Sequence, residues 1–170
     1  MKSFFLLLIT TFVLNVFSQE TDSNYADGQR KYSGNKFNGK YICYDENGLV
    51  RYEVYYSNGL ENGEYVEYHT NGQIWSNFKY VDGVKEGEMV VYYENGQVLQ
   101  KVNYVNGLLQ GPYYVYYENG QLWWQGVFLD DIPDGETIFY KKNGKIERIE
   151  IYKNGDLIKT EKGKSKSKKT

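Results

Sequence analysis

The stretch that decides the fold is GEMVVYYENGQ at residues 87–97, together with its near copy GPYYVYYENGQ at residues 111–121. The same phrase begins at five glycines spaced 24 residues apart: Gly39, Gly63, Gly87, Gly111 and Gly135. In every copy a Tyr stands five residues after the glycine, and an Asn-Gly pair occupies the eighth and ninth positions. A fixed period in the range of about 20–50 residues is typical of stacked supersecondary units, none of which buries its apolar face alone.

The sequence of each 24-residue unit predicts two short β strands. Asn-Gly between runs rich in Tyr, Val and Ile favours a hairpin, because the turn needs a positive φ that glycine adopts without a Cβ clash. A second aromatic column and a second turn follow in each copy, and only the fourth turn, Asp130-Asp131, lacks a glycine. Residues 36–158 are therefore predicted to form an all-β, elongated antiparallel meander of five hairpin repeats with ten strands.

The length of the first loop decides which side chains share a face of the sheet. We expect a three-residue loop, Glu94-Asn95-Gly96 in the third copy, built as a type I turn with the glycine in a bulge. This loop places two columns on one face, which we expect to be the interior. They are the Tyr column and the aliphatic column that follows the turn: Tyr44, Tyr68, Tyr92, Tyr116, Tyr140, Val50, Ile74, Val98, Leu122 and Ile146.

The opposite face is predicted to carry apolar residues concentrated in the central repeats, with Arg51 and Glu147 in the end copies. Two interpretations stay open: a binding stripe with polar margins, or a face that packs on itself or on a second copy. The candidate binding residues are Tyr41, Tyr65, Trp75, Met89, Tyr93, Leu99, Tyr113, Tyr117 and Trp123.

The phrases GEYVEYHTNGQ (63–73), GEMVVYYENGQ and GPYYVYYENGQ resemble MORN (membrane occupation and recognition nexus) repeats, in the bacterial variant built around G-x-Y-x-x-Y-x-x-N-G. The resemblance implies a scaffold for protein contacts and sometimes for lipid contacts. Bacterial proteins of this kind are often labelled as antitoxins of toxin–antitoxin systems, so the resemblance also implies an antitoxin-like role.

The two ends differ from the repeats. Lys2, the apolar run 4–13 and Ser18 predict a signal peptide at residues 1–18, cleaved before Gln19, and hence a secreted or periplasmic chain. Residues 19–35 are predicted to be an N-terminal cap or linker, and the Lys-rich residues 159–170 a disordered tail. The tail is solubilising or makes a peripheral contact with a membrane. Residues 19–158 carry 21 acidic and 13 basic residues, a net charge of −8, which argues against a nucleic-acid partner.

Catalysis is not expected, since the chain has one histidine, His69, and one cysteine, Cys43, with no third residue to orient them. Cys43 is interpreted as a semi-buried strand residue. Asp130, Asp131 and Asp134 leave calcium binding open, but their spacing is not that of an EF-hand, and no metal site or cofactor is predicted. We therefore expect a non-enzymatic module that binds a protein partner. The alternative is an aromatic hairpin repeat protein that binds glycan or cell-wall polymer.

Overall fold

The computed structural model describes residues 31–33 and 36–163, and every regular element in these residues is a β strand. The strands are β1 (Lys31–Ser33), β2 (Lys36–Tyr44), β3 (Val50–Ser57), β4 (Leu60–Tyr68), β5 (Ile74–Val81), β6 (Val84–Tyr92), β7 (Val98–Val105), β8 (Leu108–Leu109), β9 (Gly111–Tyr116), β10 (Leu122–Leu129), β11 (Ile132–Pro133), β12 (Gly135–Tyr140), β13 (Ile146–Lys153) and β14 (Asp156–Lys162).

All of these strands belong to one antiparallel sheet whose spatial order follows the chain. β8 and β9 are two parts of one interrupted strand, because both pair with β7, and β11 and β12 are two parts of another, because both pair with β10. The five repeats thus contribute ten strands, with β1 and β14 added at the ends. The prediction of an elongated antiparallel meander of five hairpin repeats is confirmed.

The first turn of each repeat is the predicted three-residue loop. In the third copy the Tyr93 amide donates to the Gln97 carbonyl at 2.8 Å, and the Gly96 amide donates to the Tyr93 carbonyl at 2.9 Å. Gly96 has a φ of 79°, in the left-handed region that glycine enters without steric cost. The loop therefore closes as a type I turn followed by a glycine bulge.

The second turn has two residues and ties each repeat to the one before it. Asp82 and Gly83 have φ angles of 49° and 83°, as a type I′ hairpin turn requires. The Gly83 amide then donates to the Glu61 carbonyl of the preceding repeat at 2.7 Å. In the fourth copy Asp131 adopts the same left-handed conformation, with a φ of 66°, although it carries a Cβ.

A bulge after the first turn determines which face is buried. Tyr92 lies opposite Val98, but Val91 lies opposite Gln100, so Leu99 is an extra residue in its strand. An unbroken ladder from Tyr92 would place Val102 on the Tyr92 face. The bulge moves it to the Met89 face instead, together with every second residue that follows in β7.

The prediction that the Tyr column forms the interior is therefore wrong. Met89 is fully buried, whereas Tyr92 is only half-buried and shares its face with the polar side chain of Lys101. The core is a continuous cluster on the Met89 face: Phe78, Met89, Val91, Val102, Tyr104, Leu109, Tyr113, Val115, Trp124, Phe128 and Phe139.

Strand β14 extends past the start of the predicted tail. Residues 159–162 pair with β13, so the assignment of disorder from residue 159 onward is wrong at its N-terminal boundary. The predicted signal peptide, most of the predicted cap at 19–35 and the remainder of the tail at 164–170 lie outside the described residues. Within the described part, no helix has the length and apolar character needed to cross a membrane.

Candidate interaction surface at the hairpin edge

The structure distributes the nine predicted binding residues over three environments instead of one stripe. Met89 and Tyr113 lie inside the core, with Tyr113 only 2% exposed. Tyr41 and Tyr65 are half-buried on the same face, in the N-terminal repeats. The other five flank the first turns, and they are Trp75, Tyr93, Leu99, Tyr117 and Trp123.

A ladder of side-chain hydrogen bonds joins the first turns of successive repeats. The Tyr93 hydroxyl donates to the Tyr116 carbonyl at 2.7 Å, and the Tyr117 hydroxyl donates to the Tyr140 carbonyl at 2.8 Å. One repeat earlier, His69 Nε2 lies 3.0 Å from the Tyr92 carbonyl oxygen. Because the polar end of each ring is hydrogen-bonded to the next repeat, the orientation of the ring is restrained by the sheet itself.

The loop asparagines reinforce this stacking. Asn71 donates through Nδ2 to the Glu94 carbonyl at 3.1 Å, and its Oδ1 accepts the Gln73 amide at 2.9 Å. The same pair of contacts recurs one repeat later, from Asn95. The turns are thus hydrogen-bonded both within and between repeats, which restrains the backbone that carries the exposed side chains of this edge.

Along the first turns of the third to fifth repeats lies a groove of about 520 Å³, called here the hairpin-edge groove. Its lining residues are Tyr93, Asn95, Tyr117, Glu118, Asn119 and Lys142. Trp123 stacks on Tyr117, with ring centroids 5.6 Å apart at 29°, and remains 40% exposed. Lys142 Nζ lies 5.7 Å from the centroid of the Tyr117 ring, within the range of a cation–π contact.

Both tyrosine hydroxyls of the groove remain protonated donors at neutral pH. Burial raises the pKa of Tyr93 and of Tyr117 above the usual value for a phenol. In each case a nearby carboxylate, from Glu118 or Glu147, acts in the same direction. The two tyrosine hydrogen bonds therefore persist over the physiological pH range.

A second aromatic group, on the core face of the N-terminal repeats, is closed on itself. The ring centroids of Tyr52 and Tyr65 are 5.4 Å apart at 17°, and those of Tyr65 and Phe78 are 4.6 Å apart at 25°. Stacked rings cover one another's faces, so this row supplies packing between repeats and leaves little open ring surface for a ligand.

Two ionisable groups lie beside this row. Burial raises the pKa of Glu67 to about 7, against the opposing effect of the Arg51 charge. Burial also lowers the pKa of Lys85 to about 8, and its Nζ lies 4.7 Å from the Phe78 ring centroid. These shifts reflect desolvation on a half-buried aromatic surface.

Among the residues considered for chemistry, the side chains of Cys43, Asp131 and Asp134 contact backbone atoms. Cys43, interpreted from the sequence as a semi-buried strand residue, is buried in β2, and its Sγ lies 3.7 Å from the Tyr44 carbonyl oxygen. Asp131 Oδ1 accepts the Leu109 amide at 2.7 Å, and Asp134 Oδ1 accepts the Asn154 amide at 3.2 Å. Among the described residues no group of three or more His, Cys, Asp and Glu could hold a metal ion.

One sheet of stacked hairpins, with turns hydrogen-bonded from repeat to repeat, defines an elongated β-hairpin repeat protein. The sequence profile of the family described as MORN repeat variant matches residues 37–58, 61–82, 85–106, 109–128 and 133–154. The chain belongs to this family, and the resemblance seen in the repeated phrase is confirmed.

Comparison with curated proteins gives no significant match. Among solved structures, the "Crystal structure of GtfA/B complex bound to UDP and GlcNAc" aligns with a TM-score of 0.30 and 13% sequence identity. The alignment covers 73% of this chain and 24% of that one, so the chain spans about a quarter of that protein's length. Similarity at this level supports no functional inference.

Sequence reasoning did not find the hydroxyl ladder. Its signal is the Tyr-Tyr doublet, which occurs as Tyr92-Tyr93 and Tyr116-Tyr117 in adjacent repeats. The hydroxyl of the second tyrosine in one doublet, Tyr93, donates to the carbonyl of the first tyrosine in the next doublet, Tyr116. Recognising this pairing requires knowing that equivalent turns stack on each other, which depends on the sheet.

Proposed function

We propose that this protein is an exported, non-enzymatic module that binds a protein partner through the hairpin-edge groove. The proposal rests on one observation: the aromatic rings at this edge are held in one orientation by the sheet, and part of their surface is exposed. Tyr93 and Tyr117 are anchored by their hydroxyls, and Trp123 is stacked on Tyr117 yet 40% exposed. Rigid Tyr and Trp side chains lose little conformational entropy on binding and are enriched in protein hot spots.

The geometry of the rings favours a protein over a glycan. Sugars bind aromatic side chains by stacking on an open ring face. The Tyr117 ring has Trp123 stacked on it and Lys142 within cation–π distance, and the core-face aromatic row is stacked on itself. Binding of a glycan or cell-wall polymer is therefore the second candidate function. The experiment below distinguishes it from binding of a protein.

Export and the antitoxin-like role are narrower parts of the proposal. Export is supported by the pattern of residues 1–18, and an N-terminal sequence beginning at Met1 in a periplasmic or culture fraction would contradict it. An antitoxin-like role is supported by the family resemblance, but an exported chain fits a cytosolic toxin poorly. The basic tail at residues 159–170 supports a peripheral membrane contact as a separate proposal.

The test is affinity capture with the purified chain, identification of the captured protein by mass spectrometry, and calorimetric titration of that protein. Trp123→Ala should weaken binding by about 2 kcal/mol or more, because it removes an exposed aromatic anchor. Tyr55→Ala is the matched control, since Tyr55 is also aromatic and 45% exposed but lies in the middle of β3. Its effect should be within about 0.5 kcal/mol.

Equal affinity of Trp123→Ala and the unmodified chain would contradict the proposed surface. Loss of retention on cell-wall polymer in Trp123→Ala, with no captured protein, would support the glycan alternative. Circular dichroism of both variants shows whether the sheet is intact, so that a loss of binding is assigned to the surface and not to unfolding.

A further inference from the structure

The distance between equivalent side chains of successive repeats determines which peptide conformation can lie along the hairpin edge. Consecutive repeats are two strands apart in the sheet. With about 4.8 Å between neighbouring strands, equivalent side chains such as Tyr93 and Tyr117 are spaced about 10 Å apart along the edge. A polyproline II helix advances about 9.3 Å in one turn of three residues. It therefore presents the same side to successive repeats of this sheet.

Building on the proposed function, we propose that the hairpin-edge groove binds a proline-rich segment of the partner in polyproline II conformation, with a basic residue beside the prolines. Successive turns of this segment lie against the Tyr93 and Tyr117 rings, and Trp123, stacked on Tyr117, flanks the second contact. Polyproline II segments are preformed, so they lose little entropy on docking to aromatic-lined grooves.

Other peptide conformations match the edge less well. In an extended strand every third residue also advances about 10 Å, but successive third residues point to opposite sides. An α-helix is about 10–12 Å wide and its carbonyls are hydrogen-bonded internally. A polyproline II backbone makes no internal hydrogen bonds, so its carbonyls can accept from side-chain donors such as Asn119 and Lys142, which line the groove.

The charge of the edge supports a basic residue in the ligand. Glu118 lines the groove, and Glu94 is exposed at the equivalent position one repeat earlier. Residues 19–158 carry a net charge of −8, so the field around the repeats attracts cations. Lys142 occupies the other end of the groove, beside Tyr117, which places the acidic site on one side and orients the ligand.

The test uses fluorescein-labelled ten-residue peptides titrated into the purified chain and followed by fluorescence anisotropy. Two probes carry prolines in three-residue register with one arginine at either the N-terminal or the C-terminal end, to allow both directions of binding. Their matched controls replace every proline with glycine, which keeps length and charge but removes the polyproline II preference. We expect at least one proline probe to bind at least tenfold more tightly than its glycine control.

Variants of the chain locate the site. Trp123→Ala should weaken binding of that probe at least tenfold, and Glu118→Gln should weaken it severalfold and reduce its dependence on salt. Tyr55→Ala should leave binding unchanged. Equal affinity for proline and glycine peptides would overturn the proposal, as would tight binding that survives Trp123→Ala in a folded protein.

The outcome is separable from that of the proposed function. If a captured protein depends on Trp123 but is not displaced by either proline probe, the groove binds protein in another conformation and only this inference fails. If no protein partner depends on Trp123 and no proline probe binds, both proposals fail. Displacement of the captured partner by the proline probe, but not by its glycine control, would support both.

Discussion

Truncation of Tyr113 should destabilise the protein strongly, because this side chain is the centre of the core in the fourth repeat. Tyr113 is 2% exposed, and its ring stacks on Trp124 at 4.8 Å between centroids, with an interplanar angle of 9°. It also contacts Phe128 at 5.2 Å and shares a hydrogen bond with the side chain of Gln100, itself buried. Tyr113→Ala removes all three contacts.

The expected loss in the free energy of unfolding is about 3–5 kcal/mol, the usual cost of truncating a buried aromatic side chain to alanine. The matched control is Tyr116→Ala, in the same strand but on the opposite face and half-buried. Full burial of a large apolar side chain contributes about 1.5–3 kcal/mol, so a half-buried ring should cost only about 1 kcal/mol.

The assay is urea unfolding followed by far-UV circular dichroism, which reports the whole sheet and not only the neighbourhood of Trp124. The midpoint should fall much further for Tyr113→Ala than for Tyr116→Ala, with the dependence on urea concentration unchanged. A larger loss for Tyr116→Ala would show that the Tyr column is the buried face, and equal losses would show that neither face is preferentially buried. Either result would refute the face assignment made from the bulge at Leu99.

Three further predictions concern turns and the half-buried carboxyl of Glu67. Asp131→Ala should be about 1–2 kcal/mol less stable than Asp131→Gly in urea unfolding, because both lose the bond from the Leu109 amide but only alanine keeps a Cβ at a φ of 66°; equal stabilities would argue against strain. Gly96→Val should cost at least about 1–2 kcal/mol for the same reason at a φ of 79°, and an unchanged melting temperature would contradict the turn. Burial raises the pKa of Glu67 from 4.5 to about 7, so the folded protein keeps a proton that the unfolded chain loses, and this group's contribution to stability declines as pH rises from 4.5 to 7. Melting temperatures of Glu67→Gln should lack this decline, and an identical pH slope in both proteins would exclude a role for Glu67.

The repeat, the hairpins and the first turn were predictable because each depends on local chemistry. Gly96 has the positive φ that Asn-Gly predicts, and its loop has the expected three residues. The 24-residue period then implied ten stacked strands without any knowledge of long-range contacts. Local rules repeated five times are sufficient to determine the meander.

The buried face was not predictable from the same rules. The same bulge places Trp75 and Trp123 as extra residues in their strands, as it does Leu99. None of the three has turn chemistry of its own, and no glycine marks the extra residue. A bulge exchanges the two faces of all later residues in the strand, so its position is decided by which face packs better. That comparison depends on Val102 and Tyr104 meeting Met89 and Tyr113, contacts that exist only in the assembled sheet.

The candidate site was predictable only in part, for a related reason. Tyr93, Tyr117 and Trp123 were selected as exposed aromatic residues, and the structure places them at an accessible edge. Met89 and Tyr113 were selected by the same pattern and lie in the core. A Tyr on a strand and a Tyr beside a turn look alike in sequence, and only the position of the bulge distinguishes packing from exposure.

Comparison of the five repeats distinguishes positions that are constant in every copy from positions that vary at the exposed edge. The Tyr five residues after each opening glycine is the same in all copies, whereas the next position is Asp45, His69, Tyr93, Tyr117 and Lys141 in turn. His69, Tyr93 and Tyr117 each reach one carbonyl of the next repeat, whereas Asp45 accepts two amides of its own turn. Because the backbone of each hairpin is held by its own turns, this position can change without altering the sheet. The hairpin-edge groove lies where two tyrosines occupy this position in adjacent repeats, so the location of the proposed binding site follows from the order of the repeats and not from the repeat itself.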